Sequence, residues 1–377
     1  MKPEIKLACL SGLAVMLGGM AEAQGIPQRV AALERKVASL NRTVASLKSD
    51  LSALSSRLDL VNYQLRFYSA TVDCDAGQSL AAALLAPATA PTVQVTVSGT
   101  CHEVIEIHRD HVSIQGQPGA TIDAPAGSAW GIFVNGGQDV RIDQLTVKGA
   151  PTSIHVRHAH LEGSALNLYG GVTALMGSTV RLYPSVLIQG APYQGVDIDE
   201  ESSFTIFGCQ IRDAGYAGVR VVNGTFSAEN CQIERSGQFG ILAQGGANVS
   251  LEEVNVTDSG TAGVSAGLGS AVLIQTPGWS NGGAPLRSRI TGSPVGLQAA
   301  GGSSVRLGHV TIQGNGDGVS LGDASVVERD MFGQLQVTGN SAAGVRCAPA
   351  PAVPQLVLVD SSSVFGNPGG DIVCAGY

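Results

Sequence analysis

The middle of this 377-residue chain repeats itself about every 22 or 23 residues. Each unit begins with a glycine, followed by a short run in which apolar and polar residues alternate, as in GVDID and GVRVV. Such units begin at seven glycines: Gly195, Gly218, Gly240, Gly263, Gly296, Gly318 and Gly344. A period of this length with strand-like alternation predicts a solenoid, because each unit can bury its apolar face only against its neighbours.

Within each unit, the first and third positions after the glycine are apolar, as at Val196 and Ile198. Alternate side chains of a strand point to opposite faces, so these residues should point inward and the residues between them outward. Residues one period apart should then stack, which places Val196, Val219 and Ile241 in one interior column. The 50 glycines suit corners that need positive φ. These observations predict an all-β fold, a single-stranded parallel β-helix.

The repeats and two earlier phrases, TVDCDAGQSLAAAL and VTVSGTCHEVIEIHRDHVSIQG, resemble the right-handed parallel β-helix repeats of secreted bacterial proteins in the pectate-lyase-like superfamily. The resemblance covers roughly residues 72–377 and implies a right-handed β-helix domain at 71–377. It also implies a short helix at about 78–85 that plugs the first coil, whose core and strand groups would otherwise be exposed. The NTD, DD, GHG and RIK signatures of the polygalacturonase-like members are missing.

The amino terminus predicts export of the protein. Lys2 and Lys6 form a basic start, an apolar run extends from Leu7 to Met20, and Ala21-Glu22-Ala23 suits a signal peptidase. We therefore expect residues 1–23 to be a signal peptide and the mature protein to be secreted or periplasmic. We expect no transmembrane segment in the mature chain, since no other apolar run is long enough to cross a bilayer.

Residues 24–70 repeat their apolar positions every seven residues and predict a helical coiled-coil stalk, on the order of 60 Å long. The a positions are Val30, Val37, Val44, Leu51, Leu58 and Leu65, and the d positions are Ile26, Leu33, Leu40, Leu47, Leu54, Val61 and Tyr68. The phrase RVAALE, from Arg29 to Glu34, resembles a short trimer-specifying motif, whereas valine at a with leucine at d favours two strands. We expect self-association, with a trimer favoured over a dimer; the alternative is one long helix folded onto the solenoid.

Six cysteines remain after the signal segment, and their spacing matches the coil period. Stacked coils lie about 4.8 Å apart, which is within the Cα separation that a disulfide accepts, and export makes oxidation available. The alternative is a set of buried free thiols. Zinc is not expected, because no CxxC or HxxxH spacing accompanies the cysteines. We predict three bridges: Cys74 with Cys101, Cys209 with Cys231, and Cys347 with Cys374.

Four charged residues are the candidate catalytic groups: Asp197, Asp199, Arg220 and Arg157. The two aspartates occupy successive outward positions of one strand, Arg220 sits beside Asp197 on the next coil, and Arg157 holds a matching position two coils earlier. Such carboxylates could serve Ca²⁺-assisted cleavage of acidic polysaccharides or hydrolyse a glycosidic bond. The alternative, which we favour, is an exposed ion pair of little energetic weight. No cofactor is expected, apart from Ca²⁺ if the protein is lyase-like.

Two further features contain candidate binding residues. In HVRHAH, strand alternation sends His155 and His158 to opposite faces, so these histidines should not converge on a metal. The segment 276–289 adds about ten residues to the period, and its Trp279, Asn281 and Arg287 could stack on and hydrogen-bond a sugar. The alternative is an inserted loop whose tryptophan packs back on the solenoid.

The net charge of −8 argues against nucleic acid or an anionic membrane as a partner. No phosphate loop, Ser-His-Asp arrangement or dinucleotide fingerprint occurs in a recognisable context. We therefore expect a secreted, oligomeric β-helix protein with a structural or carbohydrate-binding role at the cell envelope or outside the cell. The alternative is a polysaccharide lyase, epimerase or hydrolase that works on the outward face of the β-helix.

Overall fold

The computed structural model describes residues 26–85, 90–275, 288–329, 334–348, 356–358 and 363–374. The chain divides into two compact units, one ending at Gln64 and the other beginning at Leu65. The predicted signal peptide, residues 1–23, lies outside the described residues.

The first unit contains one long helix, α1, from Ile26 to Arg66. Its interior is rich in Ala, Leu, Lys and Arg, which favour helix, and Pro27 falls in the first turn, where its missing N–H costs nothing. In the described part of the chain, no helix is long and apolar enough to cross a membrane. The seam residues whose side chains are described are all exposed: Val30, Leu33, Val37, Leu40, Val44, Leu47, Leu51, Leu54 and Leu58. A coiled coil therefore stays a prediction.

The second unit is a parallel β-helix, as predicted, and within the described residues it has three sheets of 13, 12 and 12 strands. Sheet A contains β1 Phe67–Asp73, β2 Thr92–Ser98, β5 Val112–Gly116, β8 Val140–Asp143, β11 His160–Ser164, β14 Thr179–Leu182, β17 Ser203–Phe207, β20 Thr225–Glu229, β23 Asn248–Glu252, β26 Ala271–Gln275, β29 Ser304–Leu307, β32 Val326–Arg329 and β35 Leu356–Leu358. Sheet B contains β3 Thr100–Cys101, β6 Thr121–Asp123, β9 Thr146–Lys148, β12 Asn167–Tyr169, β15 Val186–Gln189, β18 Cys209–Arg212, β21 Gln232–Glu234, β24 Asn255–Thr257, β27 Ser288–Thr291, β30 Val310–Gln313, β33 Leu335–Thr338 and β36 Val364–Phe365. Sheet C contains β4 Ile105–Ile107, β7 Trp130–Asn135, β10 Thr152–Arg157, β13 Gly171–Leu175, β16 Gln194–Ile198, β19 Ala217–Val222, β22 Phe239–Gln244, β25 Ala262–Ala266, β28 Val295–Ala299, β31 Asp317–Leu321, β34 Val345–Cys347 and β37 Ile372–Val373.

The interior of the β-helix is built from stacked apolar columns, one residue per coil. Val196 pairs with Val219, and Val219 pairs with Ile241. All three side chains are fully buried. The predicted interior column is therefore confirmed, and each coil covers the apolar surface of the next one.

The opening glycines of the repeats are needed because the next coil packs closely against them, not because their backbone has a positive φ. None of the seven opening glycines has a positive φ, whereas 18 described residues other than glycine do, at the corners between strands. A Cβ on Gly218 would lie 2.7 Å from the carbonyl oxygen of Gly240 and 2.9 Å from Ser236 Oγ. Twenty other described glycines have a positive φ, so the prediction that glycine supplies corners is confirmed at those positions. The opening glycines are needed instead where the next coil comes closest.

A short helix, α2, covers the apolar surface of the first strands. It extends from Leu80 to Leu85, and Leu80 and Leu84 are buried against the core. Glu103 caps its amino end, accepting hydrogen bonds from the Ser79 hydroxyl (2.7 Å) and the Leu80 N–H (2.6 Å). Glu103 thus satisfies one of the backbone N–H groups that a helix start leaves without a partner.

Three disulfides join neighbouring coils, and they are the three predicted bridges. The Cα atoms of the paired cysteines are 4.9, 4.6 and 4.8 Å apart, close to the strand spacing. The bridges are Cys74–Cys101, Cys209–Cys231 and Cys347–Cys374. In-register stacking thus brings cysteines one coil apart to bonding distance.

Candidate functional site

The outward face of sheet C places five side chains in one column. Phe133 on β7 pairs with His155 on β10, which pairs with Thr173 on β13, then Asp197 on β16, then Arg220 on β19. All five are partly exposed, while the residues on either side of each point into the core. We call this column and the outward residues beside it on the same coils the sheet C face.

An aromatic cluster occupies the amino-terminal part of the sheet C face. The Trp130 ring lies 4.8 Å from Phe133 and stacks on His155 at 5.4 Å, and Phe133 and His155 are 5.3 Å apart, centroid to centroid. His108 meets the edge of Phe133 at 6.0 Å. The sequence interpretation missed Trp130 and Phe133. The signal was present in WGIFVN, which has the glycine and alternation of the later repeats and aromatic residues at its outward positions.

Farther along the same face, Arg220 joins the two predicted aspartates. Its Nη1 donates to Asp197 Oδ1 at 2.6 Å, and its Nη2 donates to Asp199 Oδ2 at 3.5 Å. The side chains of Arg220, Asp197 and Asp199 are 27%, 22% and 28% exposed. This ion pair is therefore partly buried, not the fully exposed pair that the sequence interpretation favoured.

Partial burial and neighbouring charges shift the pKa values of the titratable side chains in this part of the sheet C face. Removal from water raises the pKa of Asp197, and this effect outweighs the lowering by the charge and hydrogen bond of Arg220. Burial acts to lower the pKa of Arg220, but Asp197 and Asp199 together raise it, so the guanidinium stays charged. Burial and the charge of Arg157 lower the pKa of His155, although Asp197 opposes them. His155 therefore meets Trp130 as a neutral ring near pH 7.

The fourth candidate catalytic residue, Arg157, lies in the neighbouring outward column of the same face. Its Nε donates to Met176 Sδ at 2.6 Å. It acts on the aromatic cluster through its charge, which lowers the pKa of His155. The structure thus brings all four predicted residues to one face and joins three of them directly.

The other candidate residues fall in different places. His155 lies on the sheet C face, whereas His160 begins β11 of sheet A, with its Nδ1 3.5 Å from Asp139 Oδ1. His158 lies between the two strands, at a corner with a φ of 49°. The histidines therefore diverge because the chain turns from one sheet to the next at His158, not because side chains alternate within one strand. The loop residues Trp279, Asn281 and Arg287 lie outside the described residues.

One cluster of metal-ligating residue types occurs within the described ranges: Cys74, Cys101 and Glu103. Its two sulfur atoms form a disulfide, and Glu103 caps α2. On the sheet C face, both carboxylates already share the Arg220 guanidinium. A Ca²⁺ ion takes six to eight oxygen ligands, so the residues described here do not fit that ion.

Comparison with known proteins agrees with this architecture. Residues 185–276 match the family model of the right-handed β-helix region. Among curated proteins, no sequence matches this chain significantly.

Several solved structures are similar to this chain at low sequence identity. An alginate lyase from Paenibacillus sp. is 14% identical, with 77% of this chain and 98% of that chain covered and a TM-score of 0.42. The A-module of the mannuronan C-5 epimerase AlgE4 from Azotobacter vinelandii is 12% identical, with 78% and 95% covered and a TM-score of 0.45. The receptor-binding tailspike of bacteriophage Det7 is 11% identical, with 83% and 80% covered and a TM-score of 0.34.

The residues that match the family model lie in the middle of the three sheets, and the same stacking continues through the described coils before and after them. This chain therefore has the fold of a right-handed parallel β-helix.

Proposed function

We propose that this protein is a secreted carbohydrate-binding protein that holds a polysaccharide along the sheet C face. One observation carries the proposal: the Trp130–Phe133–His155 cluster lies on the same face and in line with the Asp197–Arg220 pair. Half-exposed aromatic rings next to fixed polar groups are typical of ligand sites. The β-helix supplies a rigid support, since every residue of the column is fixed by strands on both sides.

The two parts of the face suit the two kinds of surface that a sugar ring presents. A pyranose has an apolar face of C–H groups, which can lie on the ring of Trp130 or Phe133. Its hydroxyl groups point outward from the ring edge and can donate to Asp197 or accept from Arg220. A chain of sugars lying across successive coils would meet both kinds of contact.

The charges of the face favour a neutral polymer over a polyanion. Glu106 on β4 pairs with Phe133 and extends the face by one coil. Glu106, Asp197 and Asp199 carry three negative charges, and Arg157 and Arg220 carry two positive charges. The cation nearest the carboxylates, Arg220, is already shared between them. An anionic polysaccharide would find no net positive field here, so we expect neutral glycans to bind better than uronic-acid polymers.

The test replaces the central ring. We expect Trp130→Ala to weaken binding to a neutral polysaccharide at least tenfold, because the stacking surface is removed while the strand remains. Affinity electrophoresis in gels that contain neutral or uronic-acid polymers would measure the change. The matched control is Tyr169→Ala, an exposed aromatic residue on sheet B, which should leave binding unchanged. Equal loss in both variants, or no loss in Trp130→Ala, would contradict the proposal.

Export is part of the proposal, and the three disulfides support it. Disulfides persist in oxidising compartments such as the periplasm and the extracellular space. The amino-terminal pattern of residues 1–23 points the same way. Sequencing the amino terminus of protein recovered from the periplasm or medium should show a start at Gln24.

Self-association through α1 is also part of the proposal. Seven-residue spacing places its apolar residues along one seam, and the described seam residues are exposed in the single chain. Exposed Val and Leu in such a row are typical of a helix that pairs with other helices. We propose a coiled-coil stalk, with a trimer favoured over a dimer.

A second candidate function is cleavage or epimerisation of a polysaccharide, and the raised pKa of Asp197 favours it. A carboxyl that keeps its proton to higher pH is better suited to act as an acid. Incubation of the purified protein with neutral and uronic-acid polymers would show new reducing ends for a hydrolase, unsaturated products for a lyase, or a changed uronic-acid composition for an epimerase. Under this function Asp197→Asn should abolish the products without preventing binding, whereas a pure binding protein yields no product in either form.

A further inference from the structure

We infer that α1 docks with α1 of further copies of this chain in parallel and in register. The inference rests on the proposed self-association and adds the direction and alignment of the helices. The seam residues and the charged residues beside them support this arrangement. Both sets are described side chains of α1 between Arg29 and Leu58.

The seam needs a partner along its whole described length. Its side chains are between 45% and 69% exposed, from Val30 at 45% to Leu51 at 69%. By contrast, the Val and Leu residues of the β-helix interior are almost entirely buried. A second copy is the occupant that fits, because a row of the same length and the same spacing is then available to cover each residue.

Charge selects the parallel direction. In a parallel pair, a residue at position g approaches the residue at position e five places later on the neighbouring helix. Arg29 is at g and Glu34 is at the following e, so each parallel contact brings opposite charges together. At the later g and e positions, a charged residue on one helix faces a neutral residue on the other, as for Thr43 and Lys48, so these pairs bring no like charges together.

The antiparallel direction brings like charges together. Antiparallel helices place a positions opposite d positions, and full overlap sets Leu58 opposite Leu33. Residues at g then face residues at g, and Lys36 lies against Arg57. This repulsion occurs twice in every antiparallel pair, because the arrangement is symmetric.

Burial selects the in-register alignment among the parallel ones. A shift of one heptad would leave one a and one d residue of each helix without a partner, such as Val30 and Leu33 at one end. Those side chains would stay exposed to water, whereas the in-register alignment covers all of them.

Cysteine substitution at two seam positions tests the direction. The variants are Leu33→Cys and Leu58→Cys, made in the full chain and oxidised under mild conditions. In the parallel alignment each variant alone forms a covalent dimer through its own position. In the antiparallel alignment neither variant reacts alone, and a mixture of the two gives the cross-linked species. Non-reducing gels separate these outcomes, and the unsubstituted chain is the control for background.

A second measurement separates this inference from the self-association on which it rests. Light scattering on the unsubstituted protein gives its mass in solution. A monomer would overturn both the self-association and the inference. An oligomer that cross-links only in the mixture would overturn the parallel direction and leave the self-association intact.

Charge variants give an independent readout of direction. We expect Glu34→Lys to weaken the oligomer several-fold, because Arg29 would then face lysine, and Lys36→Glu to change it little. The reverse pattern, a stronger oligomer in Lys36→Glu and no effect of Glu34→Lys, would contradict the parallel arrangement.

Discussion

Asp197 and Asp317 each face an arginine on the next coil, and their different local contacts shift their pKa values in opposite directions. The side chains of Asp197 and Asp317 are similarly exposed, at 22% and 18%. Burial acts to raise the pKa of Asp317, yet hydrogen bonds from Arg346 Nε (2.8 Å), Arg346 Nη2 (2.9 Å) and the Ala343 N–H (3.0 Å) lower it overall. Asp197 has one short donor and a second carboxylate nearby, so burial prevails and its pKa is raised.

The sign of this shift predicts how Asp197→Asn changes stability with pH. A carboxyl whose pKa is raised by folding contributes most below its ordinary value of about 3.9, and the contribution is lost as the pH rises toward the raised value. We therefore expect the unfolding free energy of the wild type, minus that of Asp197→Asn, to fall as the pH rises from below about 3.9 through the raised pKa of Asp197. Urea unfolding at several pH values measures this difference.

Asp317→Asn is the matched control for that experiment. Folding lowers the pKa of Asp317 in the wild type. The stability that this carboxylate contributes is therefore present above the ordinary pKa of an aspartate, and it is lost as the pH falls through the lowered pKa. The unfolding free energy of the wild type, minus that of Asp317→Asn, should therefore rise with pH. If this free-energy difference rose with pH for both variants, the charge of Arg220, and not burial, would determine the direction in which the pKa of Asp197 is shifted.

At the scale of the element, the corner before each sheet C strand is held by a buried polar column. Asn340 accepts hydrogen bonds at its Oδ1 from the N–H and Nδ2 of Asn315, and its own N–H and Nδ2 donate to Asn367 Oδ1. Earlier coils carry serine at this corner, and the hydroxyls of Ser236 and Ser259 are buried without a hydrogen-bond partner in the described chain. The asparagine corners are therefore satisfied, whereas the Ser236 and Ser259 hydroxyls are not.

This difference predicts opposite responses to alanine. Asn340→Ala should lower the unfolding free energy by about 3 kcal/mol, because the buried Asn315 N–H loses its acceptor and the Ile312 carbonyl loses a donor. Ser259→Ala removes a hydroxyl that makes no hydrogen bond, so stability should stay within about 0.5 kcal/mol or rise. Denaturant unfolding of both variants provides the comparison. Equal losses would show that the corner column contributes by shape and not by hydrogen bonding.

At the scale of the whole molecule, the proposed function gives the β-helix one binding face per chain, and the proposed self-association of α1 would determine how many chains act together. Each coil contacts only its neighbours, so the sheet C face is set by stacking within one chain. Every further copy joined through α1 would add another sheet C face. A long polysaccharide could then engage several faces at once, which strengthens binding without any new kind of contact.

This arrangement predicts a difference between long and short ligands. The double variant Leu40→Lys and Leu47→Lys places charges in the seam of α1 and should produce a monomer. We expect its binding to an immobilised polysaccharide to fall at least tenfold, while its affinity for a short oligosaccharide is unchanged. Surface plasmon resonance and calorimetry measure the two quantities. The control variant, Ser39→Lys with Ser46→Lys, adds the same charge outside the seam and should bind like the wild type.

The sequence by itself determined the fold, the interior columns and the three cysteine pairs. The physical reason is that a β-helix turns a fixed spacing along the chain into a vertical contact, so Cys209 and Cys231, 22 residues apart, must meet once the coils stack. In the same way, a seven-residue apolar spacing predicted the helix between Ile26 and Arg66. The sequence also indicated that Asp197 and Arg220 would be neighbours, because both follow a repeat glycine.

Only the tertiary structure decided what the outward face contains. The coils before Gly195 vary in length, with His155 and Thr173 paired at a spacing of 18 residues and Thr173 and Asp197 at 24, so a constant period could not align them. The stacking of Trp130 on His155 depends on how side chains from adjacent coils pack. The burial that raises the pKa of Asp197 likewise comes from neighbours on several coils, and a residue's place in the repeat does not specify them.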